Sequence, residues 1–307
     1  MSNIMESRPS KADETADERV PVEKTYKLFI KGEFVRSESG RSLPIASGAG
    51  VTNVARASRK DARDAVVATK AGHHAWAGKT AYLRGQVLYR LAEVMEGRRA
   101  ELVESLGVAG VDAAAAAREV DVSIDRTLHY AGWSDKIHAL LSTLNPVAGP
   151  HYDVSSPEPM GVVVVVAPDG SSPTLLGLVS TVLPVIVSGN AALVLAPEKD
   201  PRTTVTWCEC LATSDLPAGV VNALTGLRSE VLPHLAKHMD VQALDLWRSA
   251  TLDEGLARSA AIDGANNVKR VKVRDASSLD FFSDQAQGLS FIEPWLELKT
   301  VWHPVGL

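Results

Sequence analysis

The sequence predicts an α/β protein with a doubly wound parallel sheet, a helical N-terminal part and a small additional β element. The first observation is the β-branched run over residues 161–167, which is typical of a strand covered on both faces. The second is that strand-like and helix-like segments alternate from this run to about residue 247, a pattern that favours parallel strands joined by helices. The third is that residues 58–140 instead have helical periodicity, which places a helical region before the sheet.

The alternating half can be divided into elements from its breaks and periodicity. The expected elements are a strand over Val162–Ala167, a helix over Thr174–Val187, a strand over Ala191–Leu195, a helix over Arg202–Thr213, a strand over Val220–Leu224, a helix over Ser229–His238 and a strand over Ala243–Trp247. In such sheets ligands bind beyond the carboxyl ends of the strands. We therefore expect the functional rim at residues 168–170, 196–198 and 225–226.

The N-terminal half begins with a hairpin pattern and then becomes helical. Residues 27–35 alternate around a glycine, as the two strands of a β-hairpin do. Ser58 followed by Asp61 predicts the start of a first helix through a capping box. Three further helices are expected over residues 80–96, 99–108 and 111–140.

Composition and charge exclude several classes of protein. The net charge of −5 and the isoelectric point near 5.9 argue against a nucleic-acid partner, which normally meets a basic surface. Residues 1–24 carry mixed charges without an apolar segment, so we expect a disordered tail and not a signal peptide. The two cysteines, Cys208 and Cys210, form neither a disulfide framework nor a zinc site, which favours a reducing, cytoplasmic setting.

Two further possibilities are weighed and set aside. Residues 170–197 contain no charge and are long enough to span a bilayer, but Pro173, Pro184 and Gly189 divide the segment into strand-sized and helix-sized pieces. A buried strand–helix–strand unit is therefore expected, and no membrane contact. His234 and His238 have the spacing of two metal ligands on a helix, but no third ligand is evident, so no metal site is predicted.

Several motifs occur in an order that resembles the aldehyde dehydrogenase superfamily. Tyr130–Ile137 is similar to the family's YAGWADKI segment, and Pro159–Val163 resembles its PxGVV strand. Leu216–Asn222, followed by Thr225–Gly226, is similar to LPPGVVNVVTG. Leu296–Val301 resembles the last strand of the family. The resemblance extends from about residue 27 to 137 and from 159 to 271.

The resemblance implies a domain organisation in which one part is missing. Residues 25–140 and 158–275 would form a Rossmann-like dinucleotide-binding domain, and residues 141–157 and 291–307 would supply oligomerisation strands. The family places its catalytic domain between the last cofactor-domain strand and the terminal strand. Here only about 25 residues separate these strands, so we expect the catalytic domain to be absent, as in the shortened copy of duplicated aldehyde dehydrogenases.

The groups that carry the family's chemistry are also missing, so no catalytic residue is predicted. No cysteine follows Cys210 to act as the nucleophile. Val273–Ser277 matches the family's ELGGK without a glutamate, and we expect Arg274 to stand where the carboxylate would be. The segment Pro168–Pro173 replaces PWNFP and has no amide side chain to stabilise an oxyanion.

The expected cofactor contacts are altered as well. Ala196–Lys199 replaces the family's KPSE and lacks the charge that would meet the adenosine ribose. Arg248 replaces the glycine of FTGST, where it would either block the pyrophosphate or offer it a cation, and blocking is favoured because of the bulk of Trp247. NAD(P) binding is expected to be weak at best. The positions that would contribute to it are Pro168, Pro197, Gly226 and Ser249.

Three functions remain open from the sequence. The favoured hypothesis is a catalytically degenerate subunit that is a structural or regulatory partner of itself or of a full-length aldehyde dehydrogenase. The first alternative is a sensor that binds NAD(P) without reacting. The second is an NAD(P)-dependent aldehyde oxidoreductase, as family membership alone would suggest.

Overall fold

The computed structural model describes residues 24–47 and 50–305. The predicted disordered tail therefore lies outside the described residues, except for its last position. The helices are α1 (Arg59–Ala77), α2 (Ala81–Gly97), α3 (Arg99–Val108), α4 (Ala113–Ala131), α5 (Lys136–Leu141), α6 (Thr174–Val187), α7 (Arg202–Ala212), α8 (Arg228–Lys237), α9 (Glu254–Ala265) and α10 (Leu289–Ile292). The strands are β1 (Leu28–Ile30), β2 (Glu33–Val35), β3 (Ser42–Ser47), β4 (Gly50–Ala55), β5 (Thr143–Asn145), β6 (His151–Pro159), β7 (Val162–Val166), β8 (Ala191–Leu195), β9 (Val221–Leu224), β10 (Ala243–Arg248), β11 (Arg270–Asp275) and β12 (Leu296–Pro304).

The predicted α/β class with a parallel sheet is confirmed. A seven-stranded sheet has the order β11-β10-β7-β8-β9-β1-β2. The five strands from β11 to β9 are parallel, and the hairpin β1–β2 continues the sheet in antiparallel orientation. From β7 the chain adds β8 and β9 on one side of the sheet and β10 and β11 on the other. In a doubly wound sheet such a reversal of strand order opens a crevice at the carboxyl ends of the strands.

Helices cover both faces of the central sheet. Val163 and Val165 of β7 belong to one core with α2, α3, α4, α6 and α7. Val162, Val164 and Val166 point to the other face, into a core with α1, α8 and α9. All five residues of β7 are buried because each face of the strand meets a helical layer. This burial explains the unbroken β-branched run in the sequence.

The start of α1 is fixed by the capping box that the sequence indicates. Asp61 donates its backbone N–H to Ser58 Oγ at 3.2 Å, and its own Oδ2 accepts from Ser58 N at 2.7 Å. The same carboxylate accepts from Ser37 Oγ at 2.7 Å. Asp61 therefore caps the helix and also attaches the segment that follows the first hairpin.

The prediction of one helix over residues 111–140 is wrong. The helix α4 ends at Ala131, and α5 starts at Lys136 after a turn. In this turn Trp133 Nε1 donates to His129 Nε2 at 2.9 Å, and Ser134 Oγ donates to the carbonyl of Ala131 at 3.0 Å. These side-chain bonds close the end of α4 and allow the chain to change direction toward β6, against which α5 packs.

Two elements are not among the sequence-based predictions. The strands β3 and β4 form a separate two-stranded sheet in which Leu43 pairs with Val54 and Ile45 with Thr52. The helix α9 lies between β10 and β11 and starts with Asp253, whose side chain accepts from Leu256 N at 2.7 Å. This helix completes the cover of the outer strands.

A third sheet contains β12, β6 and β5, with β6 in the centre. All nine residues of β12 pair with β6 in antiparallel register, from Leu296 opposite Pro159 to Pro304 opposite His151. The predicted strand near the terminal motif is thus present, and within this chain it pairs with β6. The other side of β12 is an open sheet edge.

Candidate functional site

The four residues predicted to contact a cofactor lie at one edge of the central sheet. Pro168, Pro197, Gly226 and Ser249 each follow the carboxyl end of a parallel strand, namely β7, β8, β9 and β10. These four strands are neighbours in the order β10-β7-β8-β9, so their carboxyl ends form a continuous edge, which we call the rim. A role of these residues in cofactor binding stays a prediction.

The side chain of Arg228 occupies the middle of the rim. It lies at the start of α8 and is only 1% exposed. Its Nη2 donates to the carbonyl oxygen of Ala167 at 2.6 Å and to that of Ala196 at 3.3 Å. Its Nη1 donates to Thr251 Oγ1 at 2.9 Å and to Ser249 Oγ at 3.3 Å. One guanidinium thus joins the ends of β7, β8 and β10.

Two acidic residues complete this network. Asp169 Oδ2 lies 3.8 Å from Arg228 Nη1 and accepts from Thr251 Oγ1 at 2.7 Å and from Glu198 N at 2.9 Å. Glu198 Oε1 accepts from the backbone N–H of Arg228 at 2.6 Å. Burial lowers the pKa of Arg228, and Asp169 and Glu198 oppose that shift. Burial also raises the pKa of Glu198.

The network has a direct consequence for the rim as a binding site. Backbone groups and polar side chains at the ends of parallel strands are the groups that meet a ligand in this type of sheet. Here the carbonyls of Ala167 and Ala196 and the hydroxyls of Ser249 and Thr251 already bond to Arg228. Sequence reasoning missed Arg228. The available signal was a cation two residues after Gly226, at the start of a predicted helix.

The conformation of Gly226 has a packing explanation of its own. Its φ is +132°, and a Cβ added there would lie 2.9 Å from the backbone N of Ala57. Ala57 N donates to the carbonyl of Thr225 at 2.9 Å, which joins the link between β4 and α1 to the end of β9. The glycine is therefore required by this close approach whether or not a ligand binds.

An open cleft of 430 Å³ lies beside the Arg228 network. The side chain of Arg248 is 36% exposed at this cleft, and its Nη2 lies 3.2 Å from Asp275 Oδ2. Four serines contribute to the walls, namely Ser171, Ser172, Ser249 and Ser277, and the helix-capping Asp253 lies beside them. Arg248 is thus held at the margin of the cleft by an acidic partner, and its effect on a phosphate stays a prediction.

Arg274, which stands near the expected position of the family's catalytic carboxylate, has a structural partner. Its Nη1 donates to Asp245 Oδ1, and Trp247 Nε1 donates to Asp245 Oδ2 at 3.0 Å. Burial raises the pKa of Asp245, whereas Arg274 lowers it. The guanidinium also lies over the rings of Trp247, Phe291 and Trp295, at 5.1, 5.6 and 5.5 Å from their centroids. Arg274 therefore balances the charge of the buried Asp245 carboxylate. The aromatic rings of the three neighbours pack against its guanidinium.

Residues 276–295, which we call the connector, join β11 to β12 and contribute some of these aromatic rings. Phe281 and Ala286 are buried against Trp247. Arg126 of α4 also binds the connector. Its Nη1 donates to the carbonyl of Ala286 at 2.6 Å, and its Nη2 donates to the carbonyl of Phe281 at 3.0 Å. The connector thus covers Trp247 near the carboxyl end of β10.

The two cysteines are packed inside the protein. Both lie on α7 and belong to the core under the central sheet. Burial raises the pKa of Cys210 to about 12 and that of Cys208 well above its usual value, so both thiols stay protonated at neutral pH. Within residues 24–47 and 50–305, no group of three His, Cys, Asp or Glu side chains could hold a metal ion. The same part of the chain contains no helix long and apolar enough for a membrane span.

Comparison with known proteins agrees with the fold. Residues 34–274 match the model of the aldehyde dehydrogenase family. The chain belongs to this family. It is 30% identical to the cytosolic 10-formyltetrahydrofolate dehydrogenase of Mus musculus over 282 residues, which are 88% of this chain and 31% of that protein. It is also 30% identical to the cytosolic aldehyde dehydrogenase 1 of Elephantulus edwardii over 253 residues, which are 80% of this chain and 49% of that protein.

Solved structures of the family have the same fold. The crystal structure of PnpE from Pseudomonas sp. WBC-3 superposes with a TM-score of 0.75 at 25% identity and covers 81% of this chain and 50% of that chain. The NAD⁺ complex of an aldehyde dehydrogenase from Bacillus cereus gives a TM-score of 0.74 at 22% identity, with 81% and 50% covered. The family member described here thus spans between about a third and a half of the relatives it matches.

Proposed function

We propose that this aldehyde dehydrogenase family member is a catalytically degenerate subunit that serves as a structural or regulatory partner, either of itself or of a full-length aldehyde dehydrogenase. The observation that carries the proposal is the position of Arg228. A dinucleotide at the rim would have to displace a buried guanidinium from two backbone carbonyls and two hydroxyls. Such a charge-assisted network is costly to open, since each bond to a charged group contributes about 1.5–3 kcal/mol.

The absence of a suitable nucleophile in the described chain supports the same proposal. The family's covalent mechanism needs an activated thiolate. Cys208 and Cys210 are buried in the core with raised pKa values, and the connector contains no cysteine. Arg274 pairs with Asp245, and as a guanidinium that stays protonated it cannot act as a general base.

The sheet of β12, β6 and β5 supports a role in assembly. A nine-residue edge strand with one free side is a template for pairing with another chain. Leu144, Val154 and Val301 lie in one row across the three strands and are 67%, 41% and 48% exposed. This exposed apolar row gives a partner a surface to cover.

The test is a measurement of assembly and activity on the purified chain. Light scattering should report self-association, or a mixed complex after addition of a full-length aldehyde dehydrogenase, while aldehyde-dependent reduction of NAD or NADP should be absent. The change Val301→Asp should weaken assembly, because it places a charge in the apolar row. The matched control is Glu297→Asp, at an exposed position of the same strand. A monomer in every mixture would contradict the proposed role.

Two alternative functions are each supported by fewer observations. The relatives are described as dehydrogenases, and one solved neighbour as an NAD⁺ complex, which favours an NAD(P)-dependent aldehyde oxidoreductase. A sensor that binds NAD(P) without reacting is favoured by Arg248, a partly exposed cation at the 430 Å³ cleft. Turnover with an aldehyde would support the first, and micromolar NAD affinity without turnover would support the second. We also propose a cytoplasmic location, because the two free cysteines favour a reducing setting.

A further inference from the structure

A second concave site lies between α1 and α8. This groove has a volume of 550 Å³, and its lining shares no residue with the cleft at the rim. Four cationic side chains and two imidazoles line it. These residues are Arg59, Lys60, Arg63, Lys237, His234 and His238. The whole chain has a net charge of −5, so this groove is opposite in sign to the protein that contains it.

The positive charge of the groove is only partly neutralised. Arg63 lies 3.3 Å from Asp64, and Lys237 lies 3.5 Å from Asp263. The side chains of Arg59 and Lys60 form no ion pair with any acidic group in the described parts of the chain. By contrast, the nearby Arg56 pairs with Glu230. The groove therefore keeps two cations whose charge an external anion could balance.

Helix stability does not account for these cations. Arg59, Lys60 and Arg63 lie in the first five residues of α1, where the helix dipole disfavours positive charge. Arg63 also lies four residues after Arg59 and three after Lys60, and like charges at this helical spacing repel each other. The helix already has its cap from Ser58 and Asp61. The cations are thus an electrostatic cost to the free protein that a bound anion would remove.

The shape of the groove suits a small molecule. Ala62 and Leu235 lie beneath the groove and are 1% and 0% exposed, so the surface that meets a ligand comes from the arginine, lysine and histidine side chains around them. The volume falls within the range of about 300–1,000 Å³ that is usual for small-molecule sites. A nucleic acid would meet an overall negative protein and is disfavoured at long range.

We propose that the α1–α8 groove binds a small phosphorylated ligand with at least two phosphate groups. Arg59, Lys60 and Arg63 would bind the phosphates, since arginine and lysine are the side chains best suited to phosphate oxygens. This site is independent of the proposed subunit function and of any dinucleotide at the rim.

Calorimetry on the full chain at low ionic strength tests the proposal, with sodium tripolyphosphate and ADP as probes. Both probes should bind saturably, because each carries at least two phosphate groups for the cations of the groove. The double change Arg59→Ala and Lys60→Ala should weaken both by at least about tenfold, through loss of charge-assisted contacts. The control is Arg258→Ala, which removes an exposed arginine on α9 and should leave both affinities unchanged. Thermal unfolding would verify that each variant is folded.

Several results would overturn the assignment. Absence of saturable binding for both probes would exclude the site. Loss of binding in Arg248→Ala, with the groove double variant unaffected, would move the phosphate to the rim cleft. A polyglutamate peptide that binds as tightly as tripolyphosphate would mean that the groove receives an acidic protein segment instead.

Discussion

Arg228 Nη2 lies 2.6 Å from the carbonyl oxygen of Ala167, so the end of the central strand β7 is bonded to a side chain from α8. In a doubly wound sheet this position faces the ligand crevice. The contact makes the carbonyls of Ala167 and Ala196 part of the folded interior. We therefore expect stability and ligand access at the rim to be opposed, with Arg228 affecting both.

The first prediction follows from this opposition. The change Arg228→Ala should destabilise the protein by about 3–5 kcal/mol, because it leaves Asp169 buried without its cation. Chemical denaturation measures the free energy of unfolding. The control Arg258→Ala should stay within about 0.5 kcal/mol of the unchanged protein, as surface substitutions usually do. A loss below about 1 kcal/mol in Arg228→Ala would mean that the network does not depend on this charge.

The second prediction concerns the cofactor. NAD affinity should be weaker than about 1 mM, since the expected ribose contacts are missing and Arg228 occupies the rim. Calorimetry measures the affinity directly. Arg248→Gly should then change little, because the crevice stays closed. Micromolar binding by the unchanged protein would contradict this view, and the effect of Arg248→Gly would show whether the guanidinium holds or repels the phosphate.

The third prediction concerns activity. The purified chain should not reduce NAD or NADP with short or aromatic aldehydes, because both thiols are buried and protonated. Absorbance of the reduced cofactor provides the assay, with an intact aldehyde dehydrogenase as the positive control. Turnover that persists in the double change Cys208→Ala and Cys210→Ala would reveal a different chemistry. Turnover lost in that variant would restore a catalytic role for these cysteines.

The fourth prediction uses the buried pair of Asp245 and Arg274. Arg274→Met should cost about 3–5 kcal/mol at neutral pH, because Asp245 is left charged in the interior. The double change Asp245→Leu and Arg274→Met should recover most of that loss, since it removes both charges. Urea unfolding measures both values. Equal losses in the single and double variants would assign the effect to packing against Trp247 and Trp295.

The stability of the Arg274→Met variant should also depend on pH. The pKa of Asp245 is raised in the folded protein, so between the ordinary value and the raised value the folded state binds more protons than the unfolded state. Stability from this group therefore increases as the pH falls through that window. Without Arg274 the pKa of Asp245 rises further, so the stability deficit of Arg274→Met should shrink as the pH falls from neutral toward the ordinary pKa of an aspartate. A deficit independent of pH would contradict this assignment.

Much of the sheet could be predicted because its signals are local. Five consecutive β-branched residues in β7 fit a strand with two buried faces, and Ser58 with Asp61 marks the start of α1. The break between α4 and α5 was missed because it depends on side-chain bonds of Trp133 and Ser134 within a helical pattern. Local periodicity does not report such bonds.

The state of the rim could not be predicted for a different reason. The rim positions were expected from the predicted strand ends and, for Ser249, from the family resemblance, and the sheet brings all four to one edge. The hydrogen bonds of Arg228, however, reach the carbonyls of Ala167 and Ala196, which are 61 and 32 residues earlier in the sequence. They also reach the hydroxyls of Ser249 and Thr251, which are 21 and 23 residues later. Long-range partners of this kind are not encoded in the spacing around the arginine itself. Only the assembled sheet places them within reach.

The pairing of β12 with β6 has a consequence for biosynthesis. Thr300 lies opposite Ser155, which is 145 positions earlier in the chain, so the ribosome completes the central sheet before β12 is available. Until then β6 has β5 as a neighbour on one side and an unpaired edge on the other. The pairing of β12 with β6 closes the long loop between them, and long-range pairing of this kind is slow. The nascent chain therefore passes through a period in which the strand that will become the middle of the small sheet is exposed to chaperones, and to other nascent copies.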